Sequence, residues 1–272
     1  MVSQVLCIGQ SDSCAGTGIQ ADIKTVQAFG GYASTVVTAV SVQNTHGVFA
    51  THMIPPLLVR AQIEKVMEDL QPPVIKSGML GNVETIDMLG DILDAKGYDG
   101  IKMVVDPVMT SRTGLSLLDK EARDALKRRL LIYADVITPN ITEAQDLSGI
   151  KIHDIDDMCH AAETLRTLGA KNVILKGGSL AADRVYDVLA DEHGTEIYQN
   201  KKLESRSTHG AGTTLSAGIA IGLSQGLDVR DSFVRARAFV NKAIAQAAMI
   251  GSGFGPLNHT IQPDTLEKIK AA

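Results

Sequence analysis

Residues 101–108 read IKMVVDPV, a short valine-rich run that ends on an aspartate and a proline. Apolar residues that follow one another without polar alternation are what a strand covered on both faces requires. Such strands belong to parallel sheets, whose crossovers place helices on both sides. Outward from this stretch the pattern repeats. Strands are expected at 4–9, 33–42, 73–78, 134–140 and 172–178, and amphipathic helices at 18–29, 57–69, 84–95, 118–130, 155–168, 211–224 and 229–249. Residues 184–191 and 195–205 instead alternate apolar with polar across Glu192-His193-Gly194, which predicts an antiparallel hairpin at one edge. No repeat, low-complexity linker or charge block divides the chain, so one α/β domain over residues 1–272 is expected, its mostly parallel central sheet flanked by helices.

Several function classes are disfavoured at once. A formal net charge of −5 argues against nucleic acid as the main partner, because phosphate backbones recruit basic faces. Cys7, Cys14 and Cys159 are too few and too irregularly spaced for a disulfide framework, which fits a reducing cytosol. No signal-peptide pattern or eighteen-residue apolar run is present, so a cytoplasmic protein without a membrane partner is expected. Residues 16–21 (GTGIQA) match a dinucleotide fingerprint, but Gly16 lies seven positions past the strand end at Gly9 and the next strand brings no acid. Residues 222–226 (GLSQG) match a serine-hydrolase elbow, yet lie where a helix should end. The acids of 153–160 (HDIDDMCH) suit the start of a helix better than a metal.

What survives sits at strand ends, where open α/β sheets bind ligands. Residues 207–216 (STHGAGTTLS) place Gly210, Ala211, Gly212 and Thr213 before a small-sided helix. Two glycines let backbone N–H groups converge without Cβ obstruction, and the helix adds its positive end, which suits a phosphoryl group. Asn140 and Glu143, three residues apart after a strand, can turn both oxygens toward one hard cation such as Mg²⁺. A tight turn before a buried helix and an ordinary first helical turn account for the same two stretches. Asp106 at the end of a buried strand needs a donor or a metal-bound water. Lys176 offers positive charge to phosphates, or an ion pair.

Taken together, SDSCAGTGIQADIKT (11–25), TAVSVQNTHGV (38–48), IKSGML (75–80), VVDPVM (104–109), ITPNITEA (137–144), ILKGG (174–178), THGAGTTLS (208–216) and GSGFGPLNH (251–259) resemble the hydroxymethylpyrimidine/phosphomethylpyrimidine kinases of thiamine biosynthesis, within the ribokinase superfamily. The resemblance implies a three-layer ribokinase-like fold, a homodimer, and MgATP-dependent phosphorylation of the hydroxymethyl group of 4-amino-5-hydroxymethyl-2-methylpyrimidine and then of its monophosphate. It assigns Asp22, Gln43 and Met79 to the pyrimidine, Lys176 and Thr208 to ATP, Asn140 and Glu143 to Mg²⁺, and residues 210–213 to an anion hole. Three positions depart from the family pattern. Gln10 stands for a glycine, Arg112 for a lysine, and Thr213 for the Cys or Asp that acts as base. These departures keep two alternatives open: a kinase for pyridoxal-type vitamers, and a weakly active pyrimidine-binding protein.

Overall fold

The computed structural model describes residues 2–95, 98, 100–111, 113–180 and 183–271. Along the chain lie β1 (Gln4–Asp12), α1 (Gly18–Ala28), β2 (Tyr32–Asn44), β3 (Gly47–Met53), α2 (Pro56–Asp69), β4 (Val74–Ser77), α3 (Val83–Asp94), β5 (Lys102–Val105) and α4 (Lys120–Arg129). They are followed by β6 (Val136–Ile137), α5 (Ile141–Ser148), α6 (Ile155–Thr167), β7 (Val173–Lys176), β8 (Arg184–Asp191), β9 (Gly194–Lys201), α7 (Ala211–Ser224), α8 (Val229–Ala245) and α9 (Leu266–Lys270).

The strands form one sheet in the order β3-β2-β1-β4-β5-β6-β7-β8-β9. From β2 to β7 every pairing is parallel, and the expected antiparallel hairpin β8–β9 closes one edge. The other edge is antiparallel as well, through β3, a strand the sequence did not reveal. Along β1, Leu6 and Ile8 enter one core with α2 to α6, while Val5 and Cys7 enter the other with α1, α7 and α8. This two-residue period on a doubly covered strand is why β1 reads as an unbroken apolar run. On the second face, ideal Cβ atoms at Gly218 and Gly222 would lie 2.8 Å from Ala236 and 2.6 Å from Ser232. The small side of α7 is thus what lets α8 pack so closely.

Several predicted bounds shrink for identifiable reasons. β5 stops at Val105, before Pro107, which has no N–H to donate to a ladder. β6 keeps only two of the expected residues, with Pro139 close behind. α4 starts at Lys120 because Asp119 caps it, its carboxylate accepting the Ala122 N–H at 2.8 Å. α8 ends at Ala245, shortly after its last buried residue, Ala243, because the following residues have no face to bury. The chain runs β1, β2, then back to β4 on the other side of β1, so the strand order reverses between β1 and β4. Ligand sites form beyond the carboxyl ends of strands near such a reversal.

Candidate active site

A cleft of about 640 Å³ lies there, with Gln10, Gln43, Asp106, Asn140, Lys176 and the turn 210–213 in its wall. The turn is held by sterics. Gly210 has φ +89°, the left-handed region, and a Cβ there would sit 1.8 Å from the carbonyl oxygen of Gly16. A Cβ on Gly16 would in turn meet the His209 ring at 2.3 Å. Two loops distant in sequence are therefore interlocked, and only glycine fits where they cross. α7 begins at this crossing with no side-chain cap. Its first-turn N–H groups have no intrahelical partner and carry the positive end of the helix. Thr17, which would cap α1, instead shares a 2.8 Å hydroxyl–hydroxyl hydrogen bond with Thr213.

Beside the turn, the Lys176 ammonium lies 3.1 Å from Asp106 Oδ1 and 3.0 Å from where a Gly212 Cβ would be. Gly212 is thus what allows the cation to approach the helix N-terminus. Asp106 has the donors its burial demanded: besides Lys176 it accepts from the Thr138 hydroxyl at 3.3 Å and from Ser216 at 3.4 Å. Burial works against its charge, but Lys176 and Lys76 outweigh it and hold Asp106 below the usual carboxylate range. Lys176 is drawn down by burial and raised further by Asp106 and Glu143, so it stays an ammonium. Glu143 is pushed up to about 7, chiefly by burial and also by Asp106, against Lys176 and backbone donors at Asn140 and Met109.

The expectation that Asn140 and Glu143 aim both oxygens at one point needs correction. They form a reciprocal cap on α5: Asn140 Oδ1 accepts the Glu143 N–H at 3.0 Å, and Glu143 Oε2 accepts the Asn140 N–H at 2.7 Å. Among the described residues no cluster of three or more His, Cys, Asp or Glu side chains could enclose a metal. The donor set still fits Mg²⁺. Asp106 and Glu143 are hard, buried oxygen ligands in the cleft wall, and Mg²⁺ keeps waters and substrate phosphates rather than a full protein cage.

Asp22 and Met79, expected at the pyrimidine, do not line this cleft. Asp22 lies on the buried face of α1, where its carboxylate sits 2.9 Å from Lys76 Nζ, both side chains 1% exposed. Burial pushes Asp22 up to about 6, against the pull of Lys76. Met79 is buried, and its carbonyl accepts the Thr38 hydroxyl at 2.7 Å. Gln43 and Thr208 do line the cleft, whereas Arg112 lies outside the described residues. Asp12 cannot serve as a free base: its carboxylate accepts three backbone N–H groups, from Cys14, Gly16 and Thr17, at 2.8–3.0 Å. Although burial opposes it, contacts with His209 and these donors hold it below its usual range. His209 lies 3.6 Å from Asp12 and 2.8 Å from the Gln43 amide, a grouping the sequence did not reveal.

Behind the turn, His259 Nε2 shares a 2.8 Å hydrogen bond with the Thr214 hydroxyl. Burial, helped by Lys24, lowers His259 to about 4. A depressed histidine stabilises the fold fully above its unfolded value, and that stability drains as pH falls toward the folded one. Between pH 7 and pH 4 the chain should lose roughly 3 kcal/mol through this group alone. Urea unfolding at both pH values checks this, with His259→Gln expected to remove that part of the loss.

An uncapped helix start, one ammonium and two buried carboxylates in one cleft at the strand ends suit a small-molecule phosphotransferase of the ribokinase-like class. The model of the family described as "Phosphomethylpyrimidine kinase" matches residues 12–258. The chain belongs to that family. It is 44% identical to the hydroxymethylpyrimidine/phosphomethylpyrimidine kinase of Haemophilus influenzae, covering 95% of this chain and 97% of that one. It is 42% identical to the thiamine biosynthesis bifunctional protein ThiED of Geobacter sulfurreducens, covering 94% of this chain but only 52% of that longer relative. Among solved structures, the phosphomethylpyrimidine kinase of Clostridium difficile superposes with TM-score 0.79 at 38% identity, covering 89% of this chain and 99% of that one. The pyridoxal kinase of Staphylococcus aureus in complex with AMP-PCP and pyridoxal superposes with TM-score 0.86 at 32% identity, covering 95% and 94%.

Proposed function

We propose that the chain transfers the γ-phosphoryl group of ATP to the hydroxymethyl group of 4-amino-5-hydroxymethyl-2-methylpyrimidine, and then to the resulting monophosphate. The observation that carries this reading is the uncapped start of α7 at Gly210, with the Lys176 ammonium beside Gly212. The alcohol oxygen bonds to the γ-phosphorus as the bond to the β-phosphate oxygen breaks and ADP leaves, while the hydroxyl proton passes to an oxygen of the transferred phosphoryl group and on to solvent. The N–H groups of residues 211–213 and Lys176 meet the charge on the transferring group, which is what a loose transition state most needs. Gln43, an amide that both donates and accepts, faces the aminopyrimidine edge. Thr208 lies along the phosphate path. Asp106 and Glu143, the latter oriented by Asn140, would hold Mg²⁺, which would supply neutralisation of phosphate charge.

Thr213 holds no proton acceptor at neutral pH, so positioning and charge carry the rate. Thr213→Cys is expected to raise kcat roughly tenfold or more, since general-base assistance is worth about 10²–10⁴. An unchanged kcat in a folded variant would remove this position from the account of the rate. Mass spectrometry after incubation with MgATP should find the pyrimidine mono- and diphosphates. Pyridoxal phosphate alone would favour the vitamer kinase that the superposition with the pyridoxal enzyme brings forward, and binding without any phosphorylated product would favour a sensor.

Two further expectations belong to this reading. A second copy of the chain is assigned to the β2–β3 face, where Val40, Val42 and Phe49 are exposed, the last by 67%. Light scattering should give twice the 28.9 kDa chain mass. Among the described residues no helix is long and apolar enough to cross a membrane. A cytoplasmic site of action is part of the proposal and rests on the sparse, irregularly spaced cysteines.

A further inference from the structure

The cleft contains a polar atom that the phosphate chemistry does not use. Gln10 is 5% exposed, lines the cleft, and its Oε1 has no hydrogen-bond partner among the described residues. Its position is built. The β1–β2 register passes from Gly9 opposite Val37 to Gln10 opposite Ala39, a bulge that skips Thr38. Bulges of this kind re-aim side chains near sites. Gly18, at φ +59°, closes over Gln10, and a Cβ there would lie 2.3 Å from the Gln10 carbonyl oxygen and 3.3 Å from its Cγ. Gln43, which also lines the cleft, repeats the pattern: it is 7% exposed, its amide nitrogen lies 2.8 Å from His209, and its Oε1 is also without a partner among the described residues.

Buried acceptors left unpaired are costly, and native structures keep few of them. Two in one wall are arranged for donors that arrive with the ligand. We propose that Gln10 is a specificity-determining residue, accepting an N–H from an exocyclic amino group on the ring of the alcohol substrate. This inference rests on the pyrimidine-kinase reading and narrows it. An aminopyrimidine presents such a donor, whereas the carbonyl of a pyridoxal-type ring presents an acceptor to an acceptor. Glycine at this position, the residue found in the family pattern, would leave the choice to Gln43. Gln10 adds a second point of recognition particular to this chain.

Calorimetry with 4-amino-5-hydroxymethyl-2-methylpyrimidine and its des-amino analogue tests the assignment on wild type, Gln10→Met and Gln10→Gly. Removing one buried acceptor should weaken the amino ligand by about tenfold. The des-amino ligand should change by less than about twofold, so the ratio of the two affinities narrows by about tenfold in Gln10→Met. If that variant does not fold by thermal melting, Gln10→Gly supplies the same ratio with the family residue. An unchanged ratio, with both ligands weakened equally or neither affected, overturns the role of Gln10 and leaves the kinase reading standing. Wild type that binds pyridoxal but not the aminopyrimidine overturns both.

Discussion

Gly210→Ala is expected to lower kcat/KM by about 10³, close to the loss seen when preorganised anion donors are removed. The added methyl would fall 1.8 Å from the Gly16 carbonyl oxygen, a backbone atom that cannot swing aside. Either the loop before α1 or the start of α7 has to move, and the N–H groups of residues 211–213 move with it. The left-handed φ of +89° adds strain of about 1–2 kcal/mol. Gly226→Ala is the control. Its φ is +86°, but nothing lies within 4 Å of its Cβ position. It should lose only the strain contribution, about 1–2 kcal/mol in urea, while keeping its kcat/KM, which separates backbone strain from loss of the anion site.

Lys176→Met should cost about 10²–10³ in kcat/KM and about 3 kcal/mol in stability, since it leaves Asp106 buried beside Glu143 without the nearer cation. The sign of the pH dependence follows from Asp106. A carboxylate held below its ordinary range stabilises the fold above its unfolded pKa, and the contribution is lost as pH falls through the folded value. The deficit of Lys176→Met is therefore full at neutral pH and shrinks in acid. Adding Asp106→Asn to the variant should recover part of the stability at pH 7 and none of the activity. Denaturation curves at pH 7 and pH 4, set beside steady-state rates, test both halves.

The central strands were legible because their doubly buried cores, such as residues 5–8 and 173–175, are unbroken apolar runs. β3 was not, because as an edge strand it is largely exposed and its apolar run, Val48–Ala50, is only three residues long. α5 left a signal that went unused: Asn140 followed three residues later by Glu143 is a capping signature, and a cation reading competed for the same two residues. Strand-end residues announced themselves, and Asp106, Asn140, Lys176 and the turn 210–213 do meet in one cleft. Asp22 was assigned by resemblance alone, because spacing does not tell which layer a helix face meets, and the buried Lys76 beside it looks out of place in an apolar strand. The Thr17–Thr213 and Gln43–His209 contacts join residues 196 and 166 positions apart, and no local pattern encodes them.

The central claim is that the start of α7 and Lys176 form the phosphoryl-transfer centre. A crystal structure with a non-hydrolysable ATP analogue and Mg²⁺ tests it most directly. The terminal phosphate oxygens should lie about 3 Å from backbone nitrogens of residues 211–213 and from Lys176 Nζ. Phosphates seated elsewhere in the cleft, with the first turn of α7 untouched, would contradict the account.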